Sequence, residues 1–249
     1  MRVRFLRRHA AQGAWAVDVG SGPGRFLAYI GPEQSQRVAL DLSREMLLRV
    51  DRRNLARTHR VRGDGVHPPL ARAAFANVAV LGNSLGFAAG DSDRLLGAAE
   101  ELVTLGGNLL LEVVAGPGER ARYLHRLPPS SLARLLRSPV RAVYARTQRE
   151  GFAPDPPRRS EPGEFHRFRP RELSEQLEAR GWATLEIVAV APSLGASPAA
   201  LEAVHPDPKA WSHLIELEEL VGHEPERWTA AAAVLIALSR LGQAARTIK

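Results

Sequence analysis

The sequence predicts an α/β fold, a doubly wound and mostly parallel sheet carried by one domain. Three observations predict it. Short apolar runs alternate with helix-like stretches between residues 14 and 114. The first of these runs, at 14–20, reads as a strand buried on both faces. Acids and glycines close several of them, and that is the edge where an open parallel sheet meets its ligand.

The first strand is AWAVDVG (14–20), an apolar run ended by glycine, and RFLAYIG (25–31) follows as a short helix. The second strand is RVALDL (37–42). Ser43 then caps REMLLRVDRRN (44–54), with Glu45 in the first turn, where the macrodipole favours an acid. HRVRGD (59–64) and FANVAVLGN (75–83) are the third and fourth strands. A helix opens at Asp91 or Ser92 and runs through Leu105, ended by Gly106 and Gly107. NLLLEVV (108–114) is the fifth strand. Four strand ends thus bring chemistry to one edge: Asp18 to Gly24, Asp41, Gly63-Asp64-Gly65 and Asn83-Ser84.

The rhythm breaks at 116–168, a stretch rich in Pro and Arg. It holds helix-like pieces at 119–126 and 130–137. Two strand-like pieces, VRAVYART (140–147) and EFHRF (164–168), are expected to pair as a hairpin. This is an insertion after strand five, read as a cover over the strand ends. Pro170 starts the next helix, which Gly181 stops. ATLEIVAV (183–190) is the sixth strand and TAAAAVLIAL (229–238) the last. Between them, 193–226 is a helical excursion with Trp211, Leu214, Ile215, Leu217 and Leu220 at helical spacing.

Composition narrows the function classes. The 249 residues, 45% hydrophobic, suit one domain, 1–249, with an insertion. Basic residues exceed acidic ones by 34 − 27 = 7, and only Lys209 and Lys249 are lysines. That excess fits either an anionic partner or a bias toward arginine. The absence of cysteine excludes disulfides, thiolate catalysis and Cys-zinc sites. The longest apolar run, 230–238, is too short to span a bilayer. MRVRFLRRHAAQ at the start is basic and amphipathic but lacks the apolar centre of a secretory signal, so a cytoplasmic location is expected. HLIELEELVGHEPER (213–227) has no His-x-x-x-His pair and reads as a solvated helix face, so no metal site is expected.

The glycine turn after the first strand decides the ligand class. A triphosphate loop needs Gly-x-x-x-x-Gly-Lys-Ser/Thr, and this turn has no lysine. The dinucleotide fingerprint fits at Gly20 and Gly22 but meets Arg25 where a third small residue should let helix and strand pack closely.

VDVGSGPGRF (17–26) resembles the first motif of the class I S-adenosylmethionine-dependent methyltransferases. The resemblance extends in order through VALDLSREML (38–47), RGDGVHPPL (62–70), NVAVLGNSLGF (77–87) and LVTLGGNLLLE (102–112), so it covers most of the chain outside the two excursions. It implies a Rossmann-like seven-stranded sheet with an antiparallel last strand, and S-adenosyl-L-methionine as cofactor. Gly20, Ser21, Gly22 and Gly24 would let the backbone approach the amino-acid and sugar parts. Asp18 would face the methionine moiety. Asp41 would accept both ribose hydroxyls, for which a carboxylate has the paired acceptors. Leu42 and Met46 would pack against adenine. Asp64, between Gly63 and Gly65, would accept from the adenine amine, with a neighbouring N–H completing the recognition. Asn83 and Leu85 would line the methionine side, and Ser84 would border the substrate. Each residue taken singly also fits a plain turn or strand end.

The family does not dictate a catalytic residue, because alignment of acceptor, methyl carbon and sulfur supplies much of the rate. His125, Tyr144 and His166, all in the insertion, are the candidates to contact or deprotonate an acceptor. GNSLG, without the Asn-Pro-Pro-aromatic motif of nucleobase-methylating enzymes, looks like small-molecule methyltransferases, as does RFRPREL (167–173). A small-molecule acceptor is therefore expected, with an anionic group accounting for the arginines. RNA or protein is the alternative, since thirteen arginines lie between Arg120 and Arg171 with aromatic residues among them. A cofactor-binding protein without transfer activity is a third reading. The oligomeric state is open.

Overall fold

The structure is a computed structural model that describes residues 1–50, 57–115, 152–154, 164–190 and 233–241, with scattered residues between 208 and 228. Its centre is one seven-stranded sheet. The strands are β1 Trp15–Val19, β2 Gln36–Asp41, β3 Thr58–Arg62, β4 Phe75–Val80, β5 Val103–Val113, β8 Trp182–Val190 and β9 Ala233–Arg240, in the order β3-β2-β1-β4-β5-β9-β8. Strands β1 to β5 pair in parallel, and β9 runs antiparallel to both β5 and β8. This is the sheet order of a Rossmann-like methyltransferase fold, with the last strand inserted antiparallel between the fifth and the sixth. A short hairpin, β6 Phe152–Pro154 with β7 Glu164–His166, stands apart from it.

Strand alternation splits the core into two layers. Val17, Val19, Val38, Leu40, Val78 and Leu109 point to one face, under α4 (Ser92–Leu102) and α5 (Pro170–Ala179), which contribute Leu95, Leu96, Leu173 and Leu177. Ala16, Ala39, Ala79 and Ala237 point to the other. Their small size admits Phe5 and Leu6 of α1 (Arg2–His9), a tight turn at Leu27–Tyr29, and Leu47 of α2 (Arg44–Leu48). A fully buried leucine contributes about 1.5–3 kcal/mol, so the valine and leucine layers carry most of the stability.

Helix α1 lies where the sequence suggested only an amphipathic leader. Its C-terminal end is tied to the sheet by two buried asparagines. Asn77 exchanges hydrogen bonds with the main chain of Ala11 (2.7 and 2.8 Å), and Asn108 donates to the carbonyl of His9 (2.8 Å).

Two local expectations change. The helix expected to run through Leu105 stops at Leu102, and Val103 already begins β5. The N–H groups of Ala73 and Ala74 take the carbonyls of Glu101 and Leu102, which closes the helix early, and Gly106 (φ +72°) sits inside the strand beside the register shift against β4. The hairpin pairs 164–166 with 152–154, the segment nearer to the turn; the expected partner, 140–147, lies outside the described residues. Of the 193–226 excursion, Trp211, Ser212, Ile215, Glu216 and Glu219 are helical.

Candidate functional site

Parallel pairing of β1 to β5 brings their C-terminal ends to one rim, and the strand order reverses between β1 and β4. A crevice opens at such a switch point. The turn after β1 forms one lip. Gly20 (φ +73°) adopts a conformation open to glycine, and its N–H and that of Ser21 bond the carbonyl of Leu40 on β2 at 2.8 and 3.0 Å. A side chain at Gly22 would enter open space, so the backbone here can be reached by a ligand. The turn after β4 forms the other lip, with Asn83 in the left-handed region at the start of α3 (Ser84–Phe87). The single O–H of Ser84 lies within hydrogen-bonding distance of the carbonyls of Leu81 (2.8 Å) and Gly20 (3.1 Å), bringing the two lips together.

Asp41 ends β2. One carboxylate oxygen accepts from the Gly22 N–H (2.7 Å) and the other from the Ser43 N–H (2.8 Å). Each oxygen keeps a second lone pair, so the carboxylate is aimed and still able to accept from two hydroxyls. Beside it Leu42 is 67% exposed and Met46 36% exposed. Two apolar side chains left open next to a fixed acid suit a planar apolar ring. Asp64 is exposed and accepts from the Val66 N–H (2.9 Å), holding the turn after β3. A side chain at Gly65 would collide with Leu95 and Val19, and one at Gly63 with Pro69. Gly24 (φ +80°) packs against Leu27 and Val50.

Asp18 is 2% exposed, and its Oδ1 has no hydrogen-bond partner among the described residues. Burial pushes its carboxyl up to about 8, and the charges of Asp41 and Glu112 add to the shift. Glu112 is a residue that the sequence reading passed over, although an acid inside NLLLEVV was a signal. It is 5% exposed on β5. Its Oε1 accepts from Arg2 Nε and Nη2 of α1 (3.0 and 2.7 Å), and its Oε2 from the Gly82 N–H (3.2 Å). Three acidic side chains, Asp18, Asp41 and Glu112, therefore lie near one another, Asp18 pushed toward its neutral form and Glu112 paired with Arg2.

The other expected residues divide. Asn83 is buried at the rim, its Oδ1 accepting from the Val114 N–H (3.3 Å). Leu85 has no exposed surface and belongs to the core with Leu95 and Leu96, so its side chain does not line the crevice; α3 turns it inward. Phe87, at the exposed end of the same helix, was not foreseen. His166 lies on β7, which runs beside α3, and the chain continues from it to Phe168, whose N–H bonds the carbonyl of Val114 after β5 (3.1 Å). His125 and Tyr144 lie outside the described residues. Among the described residues no group of three His, Cys, Asp or Glu could hold a metal ion, and no helix is long and apolar enough to cross a membrane.

No protein-family model and no curated protein matches the chain. Solved structures do. A Burkholderia thailandensis 1,6-didemethyltoxoflavin-N1-methyltransferase, with bound 1,6-didemethyltoxoflavin and S-adenosylhomocysteine, aligns with a TM-score of 0.55 at 14% identity, covering 96% of this chain and 76% of that one. An S-adenosylmethionine-dependent methyltransferase from Mesorhizobium loti aligns at 0.54 and 18% identity, covering 96% of both. Geranyl diphosphate C-methyltransferase from Streptomyces coelicolor aligns at 0.51 and 15% identity, covering 96% and 77%. With its strand order and its switch-point rim, the chain has the fold of the class I S-adenosylmethionine-dependent methyltransferases.

Proposed function

We propose that the protein is an S-adenosylmethionine-dependent methyltransferase acting on a small molecule. The observation that carries this reading is Asp41, fixed by two main-chain N–H groups beside the open side chains of Leu42 and Met46. In it, Asp41 receives the ribose hydroxyls, and Leu42 and Met46 cover the adenine. Asp64, with Gly63 and Gly65, recognises the exocyclic amine. Ser21, Gly22 and Gly24 shape the turn around the sugar and amino acid, and Asp18 and Asn83 face the methionine end. When bound, the cofactor supplies an electrophilic methyl on a sulfonium. The chain's part is to hold the acceptor in line with it and to keep out water.

Two observations support a small acceptor. Of the thirteen arginines between Arg120 and Arg171, the described ones are not an open basic patch: Arg167 is 1% exposed, and Arg169 and Arg171 pair with Glu172 (2.7 Å) and Glu175 (3.0 Å). Two of the structural neighbours reported above are also named for small molecules, one of them a diphosphate. An acceptor with an anionic group, beneath a cover formed by 116–168 and approached by His166, is the finer reading. Salt tests the RNA alternative, since phosphate-backbone contacts lose affinity steeply as salt rises.

Calorimetry with S-adenosylmethionine, S-adenosylhomocysteine and NAD in parallel tests the cofactor. The first two are expected to bind and NAD is not. Asp41→Ala is expected to weaken both by about tenfold to a hundredfold, the loss of one charge-assisted pair of hydrogen bonds. Retained affinity would remove the ribose role. A screen of metabolites for a mass gain of one methyl then finds the acceptor and separates an enzyme from a protein that only binds the cofactor.

A further inference from the structure

Asp18 is unlike the other rim acids. Asp41 is met by two N–H groups, and Glu112 by Arg2 and Gly82. Asp18, in register with Ala39 two residues before Asp41, lies further inside the sheet and is more deeply buried, yet one of its oxygens has no donor among the described residues. The charged groups that bear on it are both acids, Asp41 from the end of β2 and Glu112 from β5, and the guanidinium of Arg2 on α1 is engaged with Glu112. A buried acceptor with no donor is costly and is kept where something else will meet it.

Given an S-adenosyl ligand at this rim, as proposed above, we propose that the site exchanges a proton for the ligand's ammonium group. Asp18 holds a neutral carboxyl until the amino-acid end of the ligand arrives. The O–H bond then breaks, the proton leaves to solvent, and the carboxylate faces the ammonium. Charge balances: one cation enters and one proton departs. The two flanking acids drive the exchange, because they hold the proton on Asp18 and equally attract the cation that replaces it.

The sign of the pH dependence follows. With Asp18 titrating at about 8, the proton must be removed on binding at any lower pH. Affinity for an ammonium-bearing ligand rises with pH up to that value, by at most about tenfold per pH unit, the limit of a one-proton linkage.

The test is calorimetry near pH 7 in phosphate and in Tris, whose heats of ionisation differ. S-adenosylhomocysteine carries the ammonium and no sulfonium; methylthioadenosine carries the adenosine and thioether but no amino acid. The expected result is a binding heat that depends on the buffer for S-adenosylhomocysteine, with close to one proton released, and one that does not for methylthioadenosine. Asp18→Asn is expected to abolish the proton release and weaken S-adenosylhomocysteine about tenfold. A heat for S-adenosylhomocysteine that is the same in both buffers overturns the exchange and leaves the cofactor reading standing. Proton release that persists in Asp18→Asn also overturns it. Absence of any binding overturns the cofactor reading and the exchange together. The wild-type buffer pair decides the matter even if the variant does not fold.

Discussion

Two acidic side chains, Asp18 buried and Glu186 half-buried, face opposite electrostatic surroundings. At the rim, Asp18 sits among acids and is pushed up to about 8. On β8, Glu186 is also drawn upward by burial, but hydrogen bonds from His9 and His223 and the charge of Arg8 outweigh that and leave it below its ordinary value. Its Oε1 meets Arg8 at 2.9 Å and His223 at 2.7 Å, and its Oε2 meets His9. Arg8 also reaches Glu219 at 3.6 Å. Three parts of the chain, α1, β8 and the residues Glu219 and His223, are joined there. The Glu186 cluster is saturated and holds the scaffold. The Asp18 site is unsatisfied and therefore able to respond to a ligand.

The largest way to sharpen this contrast is Glu186→Ala. It leaves His9 and His223 without their carboxylate and Arg8 with Glu219 alone, and is expected to cost about 2–3 kcal/mol near neutral pH by denaturant unfolding. Because the folded-state value of Glu186 is depressed, its contribution is present above the ordinary glutamate range and lost as pH falls through the lowered value. The gap between variant and wild type should therefore close in acid.

Asp18→Asn should move stability the other way. A raised acid contributes fully below its unfolded value, near 3.8, and loses that contribution as pH rises toward about 8. The variant is expected to gain about 1–2 kcal/mol near pH 7 and almost nothing near pH 4. A loss at both values would break the comparison. Arg2→Met leaves Glu112 with only the Gly82 N–H and is expected to cost about 1 kcal/mol. Arg171→Ala is the reference for a surface pair, since Arg171 and Glu175 are both largely exposed; a thermal melt should show less than about 0.5 kcal/mol.

Most strands were legible because they are local runs of apolar residues, and the rim acids and glycines were legible because they follow the strands directly. Motif spacing places Leu85 on α3, but the helix's rotation decides which side faces the core, and there Leu85 is buried. The pairs Arg2–Glu112 and His9–Glu186 join residues more than a hundred positions apart, and no period in the sequence links such partners. The end of α4 was misplaced for a related reason. Gly106 and Gly107 looked like a stop signal, but tertiary hydrogen bonds from Ala73 and Ala74 capture the carbonyls first.

Arg37 shows what the arginine-rich composition does for the scaffold. The residue is 4% exposed, and its guanidinium gathers the carbonyls of Pro32, Glu33 and Ser35. Arg57, Arg60, Arg62 and Arg240 likewise donate to main-chain oxygens of Gln34, Val50, Leu42, and both Glu100 and Val103. Exchanging arginine for lysine throughout would preserve every formal charge, yet a single ammonium lacks the fork that bridges several peptide oxygens at once. These five side chains work as mortar between loops, and their positive sign is incidental to that task.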